Sequence, residues 1–204
     1  MEKMKKYPNE LYVYLDNRTL SKIENRKLPL EKFSNGQRER VKVVLNNKNK
    51  KAELEIGVGF TSFMLSASLK ENRSNESYIR INNIEGFIEA IKNELSRFGY
   101  IVTAIHVGKC IYNDRIVECT SGSSFDLEKE LGIYGNNSNY NKMMSFINKC
   151  CEDDALFSLE KNKSSEEEYR IIWDTNKETT NNVLIDINKV LDFIEIYRKE
   201  SVEA

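Results

Sequence analysis

The sequence predicts an α+β fold of antiparallel sheet meanders covered by amphipathic helices, and three observations lead there. Apolar and polar residues alternate through several runs, as at Val41, Val43 and Leu45 and again at Phe63, Leu65, Ala67 and Leu69, the period of a strand with one buried face. Ile84, Phe87, Ile88, Ile91, Leu95 and Phe98 recur instead at the spacing of a helix with one apolar stripe. Polar turns rich in Asn, Lys and Ser separate the strand-like runs.

Taken in order, residues 10–15 read as a first strand, and Asp16-Asn17 as its stop and the cap of a short helical piece around Leu20 and Ile23, limited by Pro29. The chain becomes β from Arg38, turns at 46–50, and returns through Leu54, Ile56 and Val58, with Gly57 and Gly59 marking a bulge or close approach. A polar turn at 71–77 precedes the strand Tyr78-Ile79-Arg80-Ile81. Asn82-Asn83 then caps the helix 84–98, which Gly99 ends at the C′ position. Residues 100–121 read as a hairpin reversing at Tyr112 to Arg115. Short helices capped by Ser123 or Ser124 and by Ser138 or Asn139 follow, then strands around 155–160, 168–174 and 182–187, and a closing helix over about 188–200.

Residues 79–89 resemble residues 185–195, each a strand feeding an Asn-capped apolar pattern after a hairpin. One α+β domain over 1–204 is expected. A second reading makes it two related ββ-β-α units, about 10–99 and 138–200, joined by the hairpin 100–121; an Ile- and Asn-rich chain also produces such pairs by chance.

The 204 residues suit one domain, and 40% apolar with 31% charged residues predicts a folded chain with a heavily solvated surface. Met1 to Lys6 are charged and lead into Tyr7-Pro8 without an apolar stretch, so no signal peptide, no membrane partner and a cytoplasmic location are expected. Cys110, Cys119, Cys150 and Cys151 lack the spacing of a disulfide framework and fit a reducing compartment. Heavy use of Asn, Lys, Ile and Glu associates the composition with AT-rich bacteria and their phages. The net charge of -1 hides an asymmetry: residues 1–51 carry fourteen Lys and Arg against six Asp and Glu. Such a dipole steers partners of either sign or is neutralised within the fold.

No catalytic residue, cofactor or metal ligand is assigned. The lone histidine, His106, falls by strand parity opposite Ile105 and Val107, which face the core. On the predicted hairpin Cys110 is about 13 Å along the strand from His106, and Cys119 about 7 to 8 Å away, too far for a thiol–imidazole dyad without bending. A thiol-dependent enzyme centred on Cys119 and His106 is therefore the third-ranked function. Zinc ligands come in closer pairs than Cys110 and Cys119. Gly57-Val58-Gly59 lacks the Lys-Ser/Thr of a phosphate loop. The acidic runs 152–154 and 166–168 read as solvated charges at element ends.

Two binding readings remain. Arg38, Arg40, Lys42, Lys48, Lys50 and Lys51 lie on and around one hairpin that would suit nucleic-acid phosphates, although aromatics are not interleaved there and the pI is about 6.1. Tyr12 and Tyr14 alternate with Leu11, Val13 and Leu15, and Tyr140 sits in a polar loop; tyrosines so placed suit protein recognition. The leading expectation is a non-enzymatic protein-binding module, a small regulator or inhibitor from a bacterium or phage, such as an inhibitor of host defence. Nucleic-acid contact through the hairpin 38–51 comes second. The chain does not specify the oligomeric state.

Overall fold

Strands account for most of the described residues, as the alternation predicts. The computed structural model describes residues 7–33, 39–47, 50–58, 62–71, 77–114, 116–120, 156–159, 161–162, 167–177 and 181–198. In chain order the elements are β1 (Leu11–Leu15), α1 (Asn17–Glu24), β2 (Lys27–Phe33), β3 (Glu39–Asn47), β4 (Lys50–Val58), β5 (Ser62–Ser68), β6 (Ser77–Ile81), α2 (Ile84–Arg97), β7 (Val102–Lys109), β8 (Ile111–Tyr112), β9 (Ile116–Thr120), β10 (Ser158–Leu159), β11 (Glu168–Thr175), β12 (Val183–Asp186) and β13 (Ile194–Tyr197). The fold is α+β, with a many-stranded antiparallel sheet and, among the described residues, the two helices α1 and α2. Its residues divide into two units, one from Met1–Asn35, Phe60–Lys109 and Glu166–Ala204, the other from Gly36–Gly59 and Cys110–Ser165.

The first unit is built on an eight-stranded sheet in which β5 is the branch point. One edge of β5 pairs along its whole length with β11, which pairs in turn with β7. The other edge is shared: β2 takes Ser62 to Met64 and β1 takes Ser68. From β1 the sheet runs on through β6 to β13, and from β2 to β12, every pairing antiparallel. Pro29 sits in β2, outside the Glu31 to Phe33 stretch that pairs with β5, where its missing N–H costs no bond to that strand.

Side-chain parity then sorts the residues. Leu11, Val13 and Leu15 of β1, Phe63, Leu65 and Ala67 of β5, Ile79 and Ile81 of β6, and Ile171 and Trp173 of β11 form one buried cluster with Ile84, Phe87, Ile88, Ile91 and Leu95 of α2. The periodicity expected of α2 is thus the stripe it buries from Ile84 to Leu95, whereas Phe98, the last residue of that pattern, follows the helix and is exposed. Its first turn is closed by Asn83, whose side chain accepts from the Gly86 N–H at 3.0 Å, and it ends at Gly99, whose φ of +78° only glycine adopts without strain. Asp16 caps α1 in the same way, accepting from Thr19 N–H at 2.6 Å.

Gly86 has a second role, because a Cβ there would lie 2.5 Å from Cε1 of Phe193. Alanine should raise the helix's own propensity by about 1 kcal/mol, but overpacking costs about 1 to 3 kcal/mol. Gly86→Ala is therefore expected to lower the thermal midpoint. With Phe193→Leu as background the same change should raise it; a rise in both backgrounds would show that no close approach exists.

Three features differ from the expectation. The helix expected over 188–200 is absent from its described part, 188–198: two 3-10 turns, Ile187–Lys189 and Leu191–Phe193, lead into β13. Asp186 caps the first turn, but Val190 at φ -123° stops propagation, and Phe193 C=O accepts from Asn82 N–H at 3.0 Å. The Ile-Glu-Ile-Tyr run gains a full ladder on β6, and that tertiary pairing overrides a local helical pattern. The second difference is β2, whose residues around Pro29 carried no strand expectation. Third, residues 100–121 do not form a hairpin: β7 pairs with β11, and β9 pairs in parallel with β3. The chain turns at Asn113-Asp114, where Asp114 adopts φ +58° and both N–H groups donate to Leu159 C=O.

In the second unit, β3 and β4 form the expected hairpin, with Asn47 opposite Lys50, and β9 adds to β3. β8 and β10 form a two-residue parallel pair. The helices expected after Ser123 and after Ser138 lie outside the described residues. The strand at 182–187 is β12, which leads into the 3-10 turns, whereas its sequence counterpart β6 leads into α2.

Candidate functional site

The face of the sheet turned away from α2 is where polar chemistry collects. Register places Glu195 and Tyr197 of β13, Tyr78 and Arg80 of β6, Tyr12 and Tyr14 of β1, Ser62, Ser66 and Ser68 of β5, Glu168, Arg170 and Asp174 of β11 and His106 of β7 on this one face. Two clusters stand out, one at each end.

At the β1–β6–β13 end, Tyr78 is the hub of an aromatic group. Tyr197 stacks on it with centroids 4.7 Å apart, and Tyr12 and Tyr14 meet it edge-on at 5.8 and 6.2 Å. These positions are directly paired or diagonal across the ladder, so the pleat itself brings the rings together. Each hydroxyl is then tied: Tyr12 donates to Glu10 at 2.5 Å, Tyr78 to Glu71 at 2.6 Å, Tyr197 to Glu195 at 2.6 Å and Tyr14 to Lys70 C=O at 2.7 Å. Donation to a carboxylate pushes the phenols of Tyr12 and Tyr78 up to about 12, so both stay protonated as donors. Arg80 lies between the carboxylates of Glu10 and Glu195, the latter at 3.2 Å. Arg80 and then Tyr12 hold the Glu10 carboxyl below its usual range. Tyr197, Asn82 and Arg80 do the same for Glu195. The cluster thus presents Tyr197, 39% exposed, and part of Tyr14, held in place by Tyr12 and Tyr78, which are buried.

At the β5–β11–β7 end, Asp174 is the hub. Its Oδ1 accepts from Ser62 Oγ at 2.5 Å and its Oδ2 lies 2.8 Å from His106 Nε2. Ser62 is directly opposite Asp174, and His106 is diagonal to it, opposite Ile172. Burial is the largest influence on the Asp174 carboxyl and pushes it up; the His106 and Ser62 hydrogen bonds and the imidazole charge together outweigh it and hold the group below the usual carboxylate range. These are the residue types of a hydrolase triad, but the order differs. A nucleophilic serine is activated by the imidazole, whereas here the carboxylate stands between the two. Ser62 is also fully buried. The arrangement can lock three strands together; it cannot generate an alkoxide at a surface.

Between the ends, Arg170 donates to Glu168 at 2.7 Å, Ser66 donates to the same oxygen at 2.7 Å, and the guanidinium lies 5.6 Å over the Phe33 ring. Glu168, at the start of β11, is therefore a partly buried partner of Arg170 and Ser66 and not the solvated charge expected of the run 166–168.

The structure brings Tyr12 and Tyr14 together in the aromatic cluster, and Tyr140 lies outside the described residues. Of the basic hairpin, Arg38 and Lys48 are outside them too; Arg40, Lys50 and Lys51 are placed by backbone alone, and Lys42 pairs with Glu53 at 2.6 Å. Cys110 is buried, and Cys119 lies on β9. Among the described residues no group of His, Cys, Asp and Glu could hold a metal ion, and no helix is long and apolar enough to cross a membrane. Sequence reading missed Tyr78, Arg80, Glu195, Tyr197, Ser62 and Asp174. Comparison with protein-family models, curated proteins and solved structures yields no match.

Proposed function

We propose that this chain is a non-enzymatic protein-binding module that docks its partner on the Tyr12–Tyr14–Tyr78–Tyr197 face. What supports this reading is the preorganised aromatic cluster itself. Tyrosine offers large contact area at low entropic cost, and rings already fixed by stacking and tied hydroxyls lose little more freedom on binding. The Ser62–Asp174–His106 order, with its buried serine, lends no support to a hydrolase. Acting by surface contact, such a module would serve as a small cytoplasmic regulator or inhibitor. The composition, akin to that of AT-rich bacteria and phages, favours a role against host-defence proteins.

Quantitative affinity capture from cell lysate tests the proposal, comparing the native chain with Tyr197→Ala. A protein retained at near stoichiometric yield by the native chain should fall about tenfold or more in the variant, as for a central aromatic anchor. Equal retention by both chains, or nothing above background with the native one, would sink the reading. A mobility shift that weakens steeply with salt would move the assignment to nucleic acid.

A further inference from the structure

We propose that the group the partner seats on this face is a cationic side chain, lysine or arginine, held over Tyr197 beside Glu195. The inference rests on the docking reading above and specifies its chemistry. Among the described residues, two carboxylates, Glu10 and Glu195, face one guanidinium, Arg80, an excess of one negative charge in that group, and Glu71 lies beside it as the acceptor of Tyr78. Among the described residues, the neighbouring bases Lys70 and Arg198 are turned to other carboxylates: Lys70 pairs with Glu167 at 2.6 Å and Arg198 lies 3.9 Å from Glu24. Tyr197 stacks by one face on Tyr78, is 39% exposed, and donates its hydroxyl to Glu195. A phenol donating to a carboxylate carries extra electron density in its ring, and a cation over such a ring is attracted by both ring and carboxylate. Arg80 is the internal precedent, a guanidinium already accommodated between these carboxylates. An anionic partner would meet Glu10 and Glu195 as like charges.

The test uses the full chain and two blocked peptides, Gly-Arg-Gly-Arg-Gly and its citrulline counterpart, followed by tyrosine ring resonances. The arginine peptide should shift Tyr197 and Tyr78 saturably, and the citrulline peptide should not. Raising salt from about 50 to about 300 mM should weaken the arginine response several-fold. Glu195→Gln and Glu10→Gln, which each remove the excess charge from opposite sides of Arg80, should both reduce it about three- to tenfold, with the far-UV spectrum unchanged. Equal shifts with both peptides, or no saturable shift at Tyr197, would overturn the inference. A captured partner lost with Tyr197→Ala but indifferent to both Gln variants and to salt would leave the docking face standing and remove the cation alone.

Discussion

Replacing Trp173 by alanine is expected to cost about 3 to 5 kcal/mol, a large share of the roughly 5 to 15 kcal/mol that a domain has in total. Trp173 is fully buried, opposite Phe63 of β5 on one side and Ile105 of β7 on the other, so its removal opens a cavity where two strand pairs meet. Its indole N–H reaches Ile88 C=O at 3.4 Å, a long bond that contributes little beside the packing. Trp173→Phe should accordingly recover most of the loss. Urea unfolding by far-UV circular dichroism should give a much lower midpoint for the alanine variant at an unchanged slope. As the only tryptophan, Trp173 also reports on the native chain, and its emission should be blue-shifted until the cooperative transition. Coincident midpoints for native chain and alanine variant would mean that the α2-covered face is not the core.

What the sequence makes legible is what depends on neighbours along the chain. Asn83, the stripe from Ile84 to Leu95 and Gly99 specify α2 with no knowledge of its partners, and Asn47 opposite Lys50 is a hairpin turn visible in the residues between them. Strand parity likewise placed His106 away from the core before its partner was known. Elements decided by distant pairing were not legible. Ile194 to Tyr197 carries both a helical pattern and good strand formers, and only the ladder on β6 decides between them. The turn at Asn113-Asp114 has hairpin chemistry, yet it is held by Leu159 and sends β9 to β3. The candidate face follows the same rule. Tyr12 and Tyr14 were visible as alternating aromatics, but their convergence with Tyr78 and Tyr197 needs the register of three strands. For Asp174 a local signal existed: an acidic residue inside the apolar strand Ile171-Ile172-Trp173, in phase with Arg170 and Glu168. Aspartate is depleted in strands, and one placed there calls for a cross-strand partner.

The stability carried by that partner should depend on pH in a direction that can be worked out. Asp174 accepts from Ser62 and pairs with His106, whose side chains are buried or nearly so, while its own side chain is 26% exposed. Removing the charge with Asp174→Asn should therefore cost about 1 to 3 kcal/mol, the range of a charge-assisted pair discounted for partial solvation. Because the folded carboxyl titrates below its ordinary value of 3.8, the unfolded chain takes up the proton first as pH falls. Its contribution is fully present above that ordinary value and is lost as pH descends through the folded one. Imidazole is cationic in acid, so protonating Asp174 leaves the His106 charge without its counter-ion. The margin of the native chain over Asp174→Asn, measured by urea unfolding, should be full near about pH 5 and shrink toward about pH 3. A margin that stays flat over that window would show that the carboxylate acts by shape alone. A margin that grows would contradict the order of the two titrations, and with it the pairing of Asp174 with His106 and Ser62.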